Sequence, residues 1–123
     1  VRTAVILAAS AVALAACAPD LDPAQERVCR RVLPTLVAEG GRARVLGAAP
    51  GRAPRSIRID FVEERPGRPP LTRWVVCRFS EMSRVDLGGV LSDRGQVGEA
   101  ALYLLKHYYL DTPDAAAAEP APG

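Results

Sequence analysis

The sequence predicts a small α+β domain: an antiparallel sheet of two to three strands flanked by an N-terminal and a C-terminal helix. Three observations carry this. Residues 56–64 and 72–80 alternate apolar and polar side chains with a period of two, and the RPGRPP stretch between them can only turn. Apolar residues recur at helical spacing before these strands, from Val28 to Leu36, and after them, from Val97 to Tyr108. The chain has 123 residues, room for one domain, and its 5% aromatic content makes the expected core mostly aliphatic.

The chain starts Val-Arg-Thr and continues as AVILAASAVALAA, residues 4–16, apolar apart from Ser10. A charged start, a short apolar run and small residues at its end read as a secretory signal peptide. A spanning helix needs about 20 apolar residues, more than this run supplies. The run closes on Leu14-Ala15-Ala16-Cys17. That quartet resembles the lipobox of bacterial lipoproteins, a likeness confined to the first 17 residues. It implies that Cys17 carries diacylglycerol, that the chain is cut just before it, and that the new amino terminus is acylated. Several acyl chains hold a protein at a bilayer where one gives only marginal binding. Ordinary secretion, with cleavage after Ala15 or Ala18, is the competing reading, although Pro19 disfavours the second cut. In such lipoproteins an Asp directly after the Cys marks inner-membrane retention. Ala18 stands there, with Asp20 two residues later, which points to the outer membrane. The expected organisation is a signal peptide over 1–16, a lipidated tether over 17–22, one domain over 23–110 and a disordered tail over 111–123, facing the periplasm.

The elements follow in order. Asp22-Pro23 is a helix start, with Asp as N-cap and Pro in the first turn. Cys29, Leu33 and Leu36 share one helical stripe, while Arg27, Arg30 and Arg31 lie on or beside the outer face. Pro34 should bend this helix or end its first part, and Gly40-Gly41 stops it. Residues 42–46 read as a short strand and the Gly- and Pro-punctuated stretch to Arg55 as a mobile loop. Ile57, Ile59 and Phe61 then point to one side of the next strand, and Val75, Cys77 and Phe79 to one side of the strand after the turn. A third strand is expected over 84–91, with a bulge or close backbone approach at Gly88-Gly89. Ser92 or Asp93 is the expected cap of a helix running to about Leu110. In that helix Val97, Ala101, Leu104, Leu105 and Tyr108 form the inward stripe, and Tyr103 and Leu110 fall outside it. The low-complexity DAAAAEPAPG that ends the sequence reads as disordered.

With Cys17 acylated, Cys29 and Cys77 remain as an even pair, expected to form a disulfide in an oxidising compartment. A C-x-x-C is absent and His107, the single His, is remote in sequence, so a metal or redox role for the pair is disfavoured. Formal net charge is only +2, but thirteen Arg stand between Arg27 and Arg84 against five acids, and acids prevail from Asp86 onward. Arg42, Arg44, Arg52 and Arg55 are the candidate contacts for an anionic surface such as lipid or cell wall; a merely solvated Arg-rich face is the plain alternative. Export makes nucleic acid an unsuitable partner. Asp60, Glu63 and Glu64 read as a solvated strand end rather than an acid/base set, His107 as a structural or surface residue rather than a catalytic one, and Trp74 as a core anchor rather than an exposed contact with Val76 and Tyr103. No nucleophile motif, phosphate loop or metal-ligand cluster stands in the sequence, so no catalytic residue, cofactor or metal is expected. The expected function is a non-catalytic binding or accessory module for a membrane or transport complex. The alternatives are a structural envelope protein that works through its Arg-rich middle, and a small enzyme inhibitor.

Overall fold

A computed structural model describes residues 20–123; the signal-peptide run and Cys17 lie outside the described residues. Helix α1 covers Pro23–Leu36. The Asp22 carboxylate accepts from the Ala24 N–H at 2.9 Å, and Pro23 fills a first-turn position whose N–H would have no helical partner. Pro34 lies near the end of α1, which stops two residues later at Leu36.

Five strands follow: β1 (Arg42–Pro50), β2 (Ser56–Glu64), β3 (Leu71–Phe79), β4 (Leu87–Ser92) and β5 (Gly95–Gln96). They form one antiparallel sheet in the order β1-β2-β3-β4-β5, each strand paired with the one before it. Helices α2 (Glu99–Tyr108) and α3 (Pro113–Ala118) complete the chain. Helix α1 packs across β1, β2 and β3 and against α3, while α2 packs over β4.

The sheet corrects the expectation of two to three strands. The strand expected over 42–46 runs on through residues 47–50, the first part of the stretch read as a mobile loop, and β1 is paired from Arg42↔Glu64 through to Pro50↔Ile57. β1 is an edge strand, where a proline without an N–H is tolerated, and its register slips by one between Val45 and Gly47, so Gly47 marks a bulge rather than a loop. β5 has two residues, too few for any periodicity to announce it. β4 begins at Leu87 rather than 84, and Ser92 and Asp93, read as a helix cap, instead belong to β4 and its turn into β5. α2 accordingly starts only at Glu99, after Gly98.

Residues 111–123, expected to be disordered, hold α3. The Thr112 hydroxyl accepts from the Ala115 N–H at 3.2 Å and Pro113 occupies the first turn, the same N-terminal device as Asp22-Pro23. Ala115 is fully buried, and Glu119 just beyond α3 pairs with Arg30 and Arg31 at 3.0 and 2.8 Å. An Ala-rich stretch buries little area of its own, so these charged contacts with α1 fix its position. They also explain why Arg30 is buried rather than outward-facing.

The core lies between α1 and one face of the sheet. Cys29, Val32 and Leu33 meet Ile57, Ile59 and Phe61 of β2 and Val75, Cys77 and Phe79 of β3. Cys29 and Cys77 are both fully buried and form a disulfide, with Cα atoms 5.8 Å apart.

Candidate functional site

Two places concentrate chemistry, and their characters differ. The first is an ionic cluster at the C-terminal end of α1. The inward phase of β2, through Ile57, Ile59 and Phe61, continues to Glu63; that of β3, through Phe79, Cys77 and Val75, continues to Arg73. Glu63 is fully buried and Arg73 is 3% exposed. The Arg73 guanidinium donates to the Leu36 carbonyl at 2.6 Å and forms a forked pair with Asp93 at 3.0–3.2 Å. It also lies 5.4 Å from the centre of the Phe61 ring. One Glu63 oxygen accepts from the Ala38 N–H at 2.7 Å; the other faces Arg73 at 3.6 Å and Arg94 at 3.4 Å. The cluster thus caps the last turn of α1 with a cation, where helix carbonyls lack partners, and receives the N–H just past the helix in a carboxylate. Both Glu63 oxygens are engaged and the group is sealed from solvent. It is built to fasten α1 to the sheet.

The second place is an apolar cleft of about 630 Å³ between the C-terminal turn of α1 and α2. Leu36, Val97, Leu104, Leu105, Tyr108 and Tyr109 form most of its wall. Thr35 lies at its edge, and its hydroxyl already donates to the Val32 carbonyl at 2.7 Å. Leu104 is 56% and Tyr108 69% exposed, and no residue of α2 is fully buried. The expected inward stripe of α2 is therefore divided. Leu102, Leu105 and Tyr109 rest on the core, while Leu104 and Tyr108 face the cleft and water. Leu110, expected outside the stripe, is buried instead, because the chain turns back after α2 and its N–H donates to the Leu105 carbonyl. A space of this size, apolar and open, suits an apolar ligand or side chains of a partner, and its lining includes no carboxylate, amine, imidazole or thiol.

Compared with known protein families, curated proteins and solved structures, the chain matches none.

The four arginines singled out in the sequence are not brought together. Arg42 and Arg44 begin β1, and Arg44 pairs with Glu64 at 2.9 Å. Arg52 and Arg55 follow the far end of the strand, roughly 25 Å away at about 3.3 Å per residue. Arg55 adopts a left-handed backbone with φ of 53°, donates to the Phe79 carbonyl and pairs with Glu81. Arg52 is exposed and makes no ion pair among the described residues. Asp60 pairs with Arg58 on the outer face of the sheet, where Arg58 also covers the half-buried Trp74, 5.0 Å from its ring centre. Trp74 is thus outside the core cluster, and Tyr103 is on α2, stacked on the exposed His107 with ring centres 4.1 Å apart. The described residues contain no group of acids, His and Cys placed to hold a metal.

Glu63, expected with Asp60 and Glu64 at a solvated strand end, is instead buried, and sequence reasoning missed Arg73, although the positions of both in phase with two core faces were a legible signal. A charge two residues beyond a run of inward apolar side chains is either solvated past the strand end or buried with a partner. Here the end of α1 closes over both.

Proposed function

We propose that this chain is a lipid-anchored envelope module that binds a partner's apolar segment in the α1–α2 cleft and performs no chemistry on it. The cleft carries the reading: it exposes Leu104 and Tyr108 beside Leu36 and Leu105, its size suits a few inserted side chains, and its wall is mostly apolar, with no carboxylate, amine or imidazole. The anchor rests on the lipobox-like Leu14-Ala15-Ala16-Cys17, and the buried Cys29–Cys77 disulfide suits an oxidising compartment. Two measurements test the two halves. Mass spectrometry of the mature amino terminus should find an acylated Cys17; an unmodified N-terminus refutes the anchor. A photo-crosslinking residue at position 108 of the full chain, in its native envelope, should give a discrete adduct that Leu104→Ser removes and that the same probe at Thr72 does not give. Equal labelling from both positions refutes the cleft.

A second reading has one observation in its favour. Arg52 and Arg55 stand at the end of the sheet next to the start of α1, the end to which the tether leads, and so are placed to meet anionic headgroups. Membrane retention of the Arg52→Ser/Arg55→Ser variant would then fall off more gently with added salt than that of the parent chain.

A further inference from the structure

The β3–β4 loop, residues 80–86, is fastened to the beginning of α1. The Arg84 guanidinium lies 3.3 Å from the Asp22 carboxylate, and the Gln25 side chain donates to the Arg84 carbonyl at 2.7 Å. Asp22 is five residues from Cys17, a span of at most about 18 Å even when fully extended. An acyl group on Cys17 therefore keeps this loop within one short tether of the bilayer. What the loop presents there is apolar. Met82 is 93% exposed, the most exposed large hydrophobic side chain among the described residues, and Val85 is 42% exposed. The acids around them are already matched: Glu81 by Arg55, Asp22 by Arg84, and Asp86 by Lys106 at 2.7 Å. The loop is itself braced, since the Ser80 hydroxyl donates to Asp86 at 2.6 Å and accepts from the Met82 N–H at 3.2 Å. An apolar side chain held out on a braced loop, with its neighbouring carboxylates neutralised, matches what the headgroup–acyl boundary accepts.

We propose that the β3–β4 loop is a membrane-docking tip, with Met82 and Val85 entering the boundary of the bilayer that holds the protein's own lipid anchor. The inference rests on the anchor at Cys17. It adds an orientation: the N-terminal end of α1 faces the membrane, and the C-terminal end of α1, with the cleft beside it, is held about 20 Å further out along the helix. Because the local charges nearly cancel, insertion is driven by apolar contact and changes little with salt.

The test uses the full acylated chain in phosphatidylethanolamine–phosphatidylglycerol vesicles, with Trp74→Phe as background. Met82→Trp places a fluorophore at the tip, and Leu71→Trp places one at the opposite end of β3. Lipids brominated in the acyl chains should remove most of the emission from position 82, shift it to the blue and leave position 71 unaffected. An unquenched Trp at 82, or equal quenching at 71, in a chain that carries its fatty acids and floats with the vesicles, overturns the docking tip and leaves the anchor standing. A chain with no fatty acid that fails to float refutes the anchor and removes the docking tip with it.

Discussion

α1 and α2 lie side by side on one face of one sheet, yet they are held in different ways. α1 places Cys29, Arg30, Val32 and Leu33 out of solvent, is covalently tied to β3, and has its last turn closed by Arg73 and Glu63. α2 buries no residue fully, and its one ion pair among the described residues, Lys106 with Asp86, is at the partly exposed edge of the domain. The difference teaches which helix is framework and which is surface. The devices that cost most to lose are all spent on α1, whereas α2 keeps Leu104 and Tyr108 where a second molecule can reach them.

The sharpest way to break the contrast is to cut the covalent tie. Cys29→Ala/Cys77→Ala opens a loop with a sequence separation of 48 and should cost about 4 kcal/mol in urea melts, a large part of the stability of so small a domain. If the loss were negligible, α1 would not be the framework. Next comes the ionic cluster. Arg73→Ala leaves the sealed Glu63 carboxylate with only Arg94 and the Ala38 N–H, and should cost about 3 kcal/mol in the same assay; Arg73→Lys, which cannot fork to Asp93, should recover only part of it.

A smaller effect is expected where α3 meets α1. Burial alone would raise the Glu119 carboxyl, but hydrogen bonds and charge from Arg31 and Arg30 outweigh it and hold the group below its ordinary value of 4.5. A carboxylate depressed in the folded state stabilises fully above that ordinary value, and its contribution is lost as the pH falls through the lower folded value. Glu119→Gln should therefore flatten the acid limb of the thermal stability profile below about pH 4.5 and change neutral stability by about 1 kcal/mol or less. Asp86, lowered by its hydrogen bonds from Lys106 and Ser80, should behave in the same sense below its ordinary 3.8. The smallest effect on folding is expected from Leu104→Ser/Tyr108→Ser, within about 0.5 kcal/mol because both side chains are already exposed. Calorimetry would check this alongside the crosslinking readout from position 108, which Leu104→Ser alone should abolish. A strongly destabilised variant would show that α2 is framework after all.

How far the sequence spoke follows the same division. Strong periodicity and punctuation were legible: α1 from Asp22-Pro23, β2 and β3 from their alternation, and the Cys29–Cys77 pair from cysteine arithmetic. Features made by neighbours were not. Pro50 and Gly47 read as loop because their tolerance depends on β1 being an edge strand with a bulge. Ala115 read as tail because α3 is held by Arg30 and Arg31, which stand more than eighty residues earlier. The cleft was invisible for a related reason. Leu104 and Tyr108 fit an inward stripe perfectly well, and only the placement of α2 beside the end of α1 decides that they face outward.

The pairing order of the sheet also bears on how the chain is assembled. Each strand finds its neighbour in the segment just completed, so the ribbon can grow in the sequence in which residues emerge, with short loops closed at each step. α1 emerges first and must wait: its thiol at Cys29 meets no other cysteine among the described residues until Cys77 has been delivered in β3. Within the domain, oxidation therefore has one available product, and the pause before it spans the formation of β1 and β2.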